Sequence, residues 1–391
     1  MLLLASLLCF VSAIAQNPLC IRDYSTVVAG DQQFSEYLPL LKAKRVAVLT
    51  NGTGRVAECS LVDTLLKLNV NVVKIFGPEH GFRGKAEAGE QVHNGKDRET
   101  GLQVISLYGK NKKPTREQLR NVDVLLFDIQ DVGVRFYTYL STLAYAMEAC
   151  AENGKEMIVL DRPNPNGFYV DGPVLEDEFR SFLGLHKVPL VYGMTIAEYA
   201  GMLNGEGWLK ADVKCRLVCI KLKNYERRCA YKLPFKPSPN LPDEKSILLY
   251  PSLGLFEGSI MSVGRGTEKA FQLYGHPEYP VHTFSFIPRA NAVSTEPKYL
   301  NQTCYGEDLS ESDYLVRHPR RVNLSWLIGA YGNMGREDFF DLNFNYHAGN
   351  SNLKRAIVSG EQEEMIRKAW AKDLAEFRII RSKYLLYPDN D

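Results

Sequence analysis

The sequence predicts an α/β protein: a Rossmann-like domain built on a mostly parallel sheet, followed by a mixed α+β domain. Three observations carry this. From Arg45 onward, short β-branched runs alternate with stretches of helical periodicity. The run at 122–129, "VDVLLFDI", is almost wholly apolar, as a strand covered on both faces must be. Four prolines between 234 and 242 then interrupt the chain where neither a helix nor a central strand can continue.

The chain opens on "MLLLASLLCFVSAIAQ", an apolar run ending in Ala13-Ile14-Ala15. It reads as a signal peptide with an A-x-A cleavage site. It is too short to span a bilayer comfortably. Residues 1–15 are therefore set aside as an export signal, and a periplasmic or secreted product is expected. No later stretch is apolar enough to cross a membrane, so no stable membrane insertion is expected.

The first domain is expected at 22–235. "RVAVLT" (45–50) and "NVVKIF" (71–76) are strands, with a helix near 58–68 between them. "QVISLYG" (103–109) is a third strand, and "PTREQLRNV" a short helix behind Pro114. After the strand at 122–129 comes a helix at 138–154, closing on Gly154. "EMIVLD" (156–161) is another buried strand, and 194–207 a helix with Thr195 and Glu198 in capping-box spacing. "KCRLVCIKL" alternates like a strand. The second domain is expected at 243–391, with a strand in "HTFSFIPRA" and a strong helix at 361–380.

Composition narrows the function classes. Net charge is +1, with no polybasic or polyacidic run, so nothing points to nucleic acid or an anionic membrane surface. Seven cysteines follow the signal run, an odd number that leaves at least one without an intrachain partner. Cys215 and Cys219, four apart on a strand, are too distant to bridge each other. "LTNGTGR" after the first strand lacks the third glycine of a dinucleotide fingerprint, so no nicotinamide cofactor is inferred. The scattered histidines form no metal motif, no G-x-S-x-G supplies a serine nucleophile, and no cofactor is expected.

In open α/β sheets, ligands bind beyond the carboxyl ends of the strands. Acids and arginines recur there. Glu79, His80 and Arg83 follow the second strand in "FGPEHGFRG". Asp128, Asp131 and Arg135 end and follow the strand at 122–129, and Asp161 and Arg162 open "DRPNPNG". Each has a bland alternative: a turn former, a capping acid or a structural Asp–Arg pair. Glu257 in "LFEGS" equally reads as a buried structural carboxylate. Convergence at three strand ends favours carboxylate chemistry helped by arginines, the toolkit of glycoside hydrolysis.

The motifs "IFGPEHGFRG", "SLYGKNKKPT", "DVLLFDIQDVGVRFYTYLSTLAYAMEA", "VLDRPNPNG", "GMTIAEYA", "PSPNLP" and "YPSLGLFEGSIMSVGRGTEKAFQLYG" run in order along nearly the whole chain. In these the sequence resembles the exo-β-N-acetylmuramidases of the NamZ type. The resemblance implies a Rossmann-like N-terminal domain, a smaller C-terminal one and an active cleft between them. It implies release of N-acetylmuramic acid from the non-reducing end of peptidoglycan-derived glycosides, and it maps the family's proposed catalytic glutamate onto Glu79.

Asp128, Asp131 and Asp161 are the candidates for a further catalytic carboxylate. His80, Arg83, Arg135, Tyr137, Arg162, Asn240, Glu257 and Arg265 are the candidate substrate-binding residues. Among these, Arg83, Arg135, Arg162 and Arg265 suit the substrate's lactyl carboxylate, because a guanidinium fork matches it. The competing readings are a non-catalytic binder of cell-wall fragments and an enzyme acting on a related amino sugar.

Overall fold

A computed structural model of the chain describes residues 19–83 and 94–389. The export signal expected at 1–15 and Gly84 of the "FGPEHGFRG" stretch lie outside them. Seven strands form the central sheet: β1 (Val46–Thr50), β2 (Val72–Gly77), β3 (Gly95–Lys96), β4 (Gln103–Ser106), β5 (Val124–Asp128), β6 (Glu156–Leu160) and β7 (Arg216–Ile220). Their spatial order is β7-β6-β5-β1-β2-β4-β3. Every pairing is parallel except β3 against β4. The chain thus starts at the middle strand, builds outward through β2 and β4, and then crosses back to lay β5 on the other side of β1. That reversal opens a crevice at the carboxyl ends of β1, β2 and β5.

The period-2 pattern sorts the sheet into two faces. Val46, Val48, Val124, Leu126, Ile158 and Leu160 pack with Tyr37 and Leu41 of α1 (Phe34–Leu41) and with Leu61, Val62 and Leu65 of α2 (Leu61–Lys67). Ala47, Leu49, Leu125, Phe127, Met157 and Val159 belong to the larger core, with α3 (Tyr139–Glu152) and α4 (Ile196–Gly205). Burial on both faces is why 122–129 carries almost no polar residue. The box at Thr195 forms as its spacing predicts: the hydroxyl accepts from Glu198 N–H, and the Glu198 carboxylate accepts from Thr195 N–H.

No helix or strand occupies 233–243, the proline-rich stretch. Beyond it come α5 (Glu244–Leu253), a 3-10 turn at Gly254–Gly258, and a three-stranded antiparallel sheet of Leu273–His276, Phe284–Phe286 and Cys304–Asp308. Helices follow, ending with α6 (Glu363–Ser382). α6 returns to the first half. Arg367 pairs with Asp171 at 2.6 Å, and Arg381 donates to the Gly193 carbonyl at 2.8 and 2.9 Å. Phe256, Trp370 and Phe377 share one continuous apolar core with Leu49 and Phe127. A cleft between the halves therefore has walls anchored in common packing.

One disulfide forms among the described residues. It joins Cys20 to Cys229, whose Cα atoms are 4.6 Å apart on two parallel paired strands. Cys215 and Cys219 are free thiols. No described helix is long and apolar enough to cross a membrane.

Candidate active site

The second strand ends in a turn that explains the residue types after it. Gly81 N–H donates to the Pro78 carbonyl at 2.9 Å, closing a four-residue turn around Glu79 and His80. His80 sits at φ 67° and Gly81 at φ 73°. A turn whose third residue is left-handed reverses the chain sharply, and a histidine there stores strain that function can use. Gly77 is required by space, because a Cβ there would lie 2.9 Å from Phe82 N. The turn projects Glu79 beyond the strand end.

Glu79 enters a cavity of about 460 Å³. The ends of β2, β4 and β5 supply one wall with Glu79, His80, Tyr108, Lys112, Tyr137, Thr138 and Tyr139. The second half supplies Tyr250, Glu257, Arg265 and His347, and Phe136, Phe182, Leu183 and Ser238 are among the other lining residues. Thr138 stands at the N-terminus of α3, but its hydroxyl does not cap that helix. It donates to Glu79 Oε2 at 2.7 Å. The Tyr108 hydroxyl bonds Glu79 as well; burial, then the charge of that carboxylate, push its phenol well above the ordinary range. Two hydroxyls from different strand ends thus orient one carboxylate. His80 Nε2 lies 3.3 Å from Ser238 Oγ, tying the turn to the proline-rich connection. Tyr137 is buried and donates to the Pro237 carbonyl at 2.6 Å.

Across the cavity, Glu257 Oε1 accepts from Arg265 Nε at 3.0 Å and from its terminal nitrogen at 2.7 Å. Burial alone would raise the Glu257 pKa. The charges of Arg265 and His347 outweigh that and hold the carboxyl below its ordinary range. The cavity therefore carries one acid fixed by hydroxyls and another fixed by a guanidinium.

Several expected site residues are placed elsewhere, for one recurring reason: strand ends on the β6 side are roofed by other parts of the chain. Arg162 and Asp128 are fully buried and form a two-pronged pair at 2.6 and 2.9 Å. Arg162 also reaches Asp31 at 2.9 Å and the Tyr24 hydroxyl at 3.1 Å. Asp161 accepts from Thr195 at 2.8 Å and from the Tyr387 hydroxyl at 2.5 Å. Asp131 accepts from Gly133 N–H at 2.6 Å and from the Tyr192 hydroxyl, and burial pushes its pKa up to about 6. None of the four lines the cavity.

Arg83 is likewise engaged outside the cavity, with Asp97 at 2.7 Å, Glu99 at 3.3 Å and Asp63 at 3.5 Å. Asn240 is buried and donates to the Val293 carbonyl at 3.2 Å. Arg135 is buried and pairs with no carboxylate among the described residues. Its guanidinium donates to the carbonyls of Pro173, Val188, His347 and Ala348 at 2.8–3.1 Å. Burial pulls its pKa down to about 9. It ties the first half to the segment that carries His347.

The structure thus brings Glu79, His80, Tyr137, Glu257 and Arg265 together. It does not bring Asp128, Asp131, Asp161, Arg83, Arg135, Arg162 or Asn240 to them. Tyr108, Lys112, Thr138, Phe182, Ser238, Tyr250 and His347 were missed. Tyr108 lies just beyond the end of β4, and that position is the signal in the sequence that marks it. No local signal marks Phe182 or His347. No group of three or more histidine, cysteine or carboxylate side chains suited to a metal occurs among the described residues.

A parallel sheet with a switch-point cleft, lined by two carboxylates from opposite halves, has the makings of a glycosidase-type site, and comparison with known proteins gives it a family. The profile described as "Exo-beta-N-acetylmuramidase NamZ, N-terminal" matches residues 46–245, and its C-terminal counterpart matches 248–387. The chain belongs to the NamZ exo-β-N-acetylmuramidase family. It is 41% identical over 381 residues to the peptidoglycan β-N-acetylmuramidase NamZ of Bacillus subtilis (strain 168), covering 91% of this chain and 90% of that protein. Crystal structures of two DUF1343 family proteins of Bacteroides fragilis NCTC 9343 superpose with TM-scores of 0.87 and 0.79, at 43% and 32% identity. Each comparison covers 93% of this chain and 99% of the other.

Proposed function

We infer that this chain is an exo-acting glycoside hydrolase that releases N-acetylmuramic acid from the non-reducing end of peptidoglycan fragments, with Glu79 as the proton donor to the glycosidic oxygen. The carrying observation is the turn at Pro78–Gly81, which presents Glu79 in the cavity under two orienting hydroxyls. An acid that protonates a leaving group must be held in one orientation, and the hydroxyls of Thr138 and Tyr108 fix that of Glu79. Glu257 opposes it and orients either the sugar's acetamide or a water. Family membership supports the substrate class.

The cavity's volume of about 460 Å³ suits a small ligand such as a terminal sugar. The apolar run at the N-terminus and the Cys20–Cys229 bridge together support export to an oxidising compartment.

The test is hydrolysis of a chromogenic N-acetyl-β-muramide by the purified chain and by its Glu79→Gln variant. Turnover by the variant is expected to fall about 10²–10⁴-fold, with an unchanged melting temperature. Near-normal turnover by a folded variant would remove Glu79 from the role. Tight binding of the sugar with no released product would instead favour a non-catalytic binder.

A further inference from the structure

We propose that Lys112 is the residue that reads the lactyl carboxylate, the group that separates a muramic acid glycoside from a plain N-acetylglucosaminide. The inference rests on the muramidase reading above and specifies how that site selects its sugar.

A carboxylate brought into a partly enclosed cavity must meet a cation or lose much of its binding energy. Among the lining side chains that can carry positive charge, His80 is tied to Ser238 and the charge of His347 acts on Glu257, which leaves Arg265 and Lys112. Arg265 is already matched. Two of its nitrogens converge on one oxygen of Glu257, and its guanidinium lies 4.9 Å from the centre of the Phe271 ring. An incoming anion would have to compete with Glu257 for it.

Lys112 is different. Its ammonium rests 4.6 Å from the centre of the Phe182 ring, and among the described residues no carboxylate pairs with it. The contrast with the next residue is instructive. Lys113 is held by Glu148 at 2.9 Å and Glu152 at 2.7 Å, outside the cavity. Of two consecutive lysines, one is anchored to α3 and the other faces the cavity with no counterion among the described residues.

The aromatic support fixes the ammonium without neutralising it. Phe182 stacks on Tyr145 at 6.2 Å with an interplanar angle of 9° and meets Tyr108 at 6.2 Å. A ring face attracts a cation but leaves its N–H donors free for an anion on the open side. Lys112 also follows Tyr108 by four residues in the loop after β4, and Tyr108 bonds Glu79. The anion-reading group and the acid thus share one wall, as recognition of a single sugar requires. A lysine here reads charge more than shape, because its ammonium is a point charge, unlike the guanidinium fork that the substrate's chemistry first suggests.

The test crosses protein and substrate changes. Wild type, Lys112→Met and Lys112→Arg are assayed on a chromogenic muramide, on the same muramide with its lactyl carboxyl converted to the neutral amide, and on the glucosaminide. Wild type is expected to prefer the free acid over the amide by about 10- to 100-fold in kcat/KM, the worth of one charged hydrogen bond. Lys112→Met should abolish that preference, chiefly through KM, and Lys112→Arg should retain it. Equal acid-over-amide preference in wild type and Lys112→Met overturns the assignment, as does a wild type that does not discriminate. A wild type that cleaves the glucosaminide but neither muramide overturns the muramidase reading itself, and this inference with it.

Discussion

Replacing Arg135 with methionine removes a buried cation that serves four carbonyls, and the structure sets the size of the effect. The carbonyl of Val188 keeps a second donor, Leu175 N–H at 3.1 Å, and is not stranded. Those of His347 and Ala348 end a short helix, Phe344–Ala348, where carbonyls lack intrahelical donors. Each orphaned carbonyl costs about 1–3 kcal/mol, so these two alone amount to about 2–6 kcal/mol. Relief of the guanidinium's desolvation, evident in its pKa of about 9, offsets part of this. The expected net loss is about 2–4 kcal/mol.

The local fit agrees with a built socket. Gly349 has φ +84°, and a Cβ there would lie 2.4 Å from the guanidinium. Because His347 lines the cavity, the same variant should raise KM for the muramide more than it lowers kcat. The assay is urea unfolding followed by near-ultraviolet circular dichroism, paired with steady-state kinetics. Stability within about 0.5 kcal/mol of wild type, the range of ordinary surface changes, together with unchanged KM, would refute the reasoning.

Further outcomes are expected. Thr138→Val removes one of the hydroxyls that orient Glu79 and should lower kcat about tenfold, the lower end of the worth of a hydrogen bond to a charged group, with little change in melting temperature. Burial, reinforced by the charge of Glu198, pushes the Asp161 pKa up to about 7 against the hydrogen bonds it accepts from Tyr387, Ala197 and Thr195. An acid with a raised folded pKa stays protonated where the unfolded chain has ionised, so stability falls as pH rises from about 4 to about 7 and levels off above. Chemical unfolding across that range should show the slope, and Asp161→Asn should reduce it, most between about pH 6 and 7, leaving the part that Asp131 contributes. Removing the Cys20–Cys229 bridge by paired serine substitution should cost about 2–5 kcal/mol, read by thermal unfolding with and without reductant.

The sheet was legible because its signals are local. β-branched runs, the apolar stretch at 122–129 and the Thr195–Glu198 box depend on residues within one turn or one strand of each other. So does the turn that carries Glu79, whose proline, glycines and neighbouring histidine stand side by side in "GPEHG". The sequence also located the strand ends.

Which charged groups at those ends would meet solvent was decided only by the tertiary structure. Arg162 is neutralised by Asp128 and by Asp31, 34 and 131 residues away, because the N-terminal segment folds over the ends of β5 and β6. Arg135 is bound by carbonyls up to 213 residues distant. The hydroxyls on Glu79 come from other segments too, that of Thr138 from 59 residues away, whereas the guanidinium on Glu257 stands only eight residues on. An ionic group is a ligand-binding group only if no nearer partner neutralises it, and that balance is set by which distant segments close over each strand end. It is why four arginines looked equivalent in the sequence, yet only Arg265 lines the cavity, and why Lys112 emerged from the folded chain.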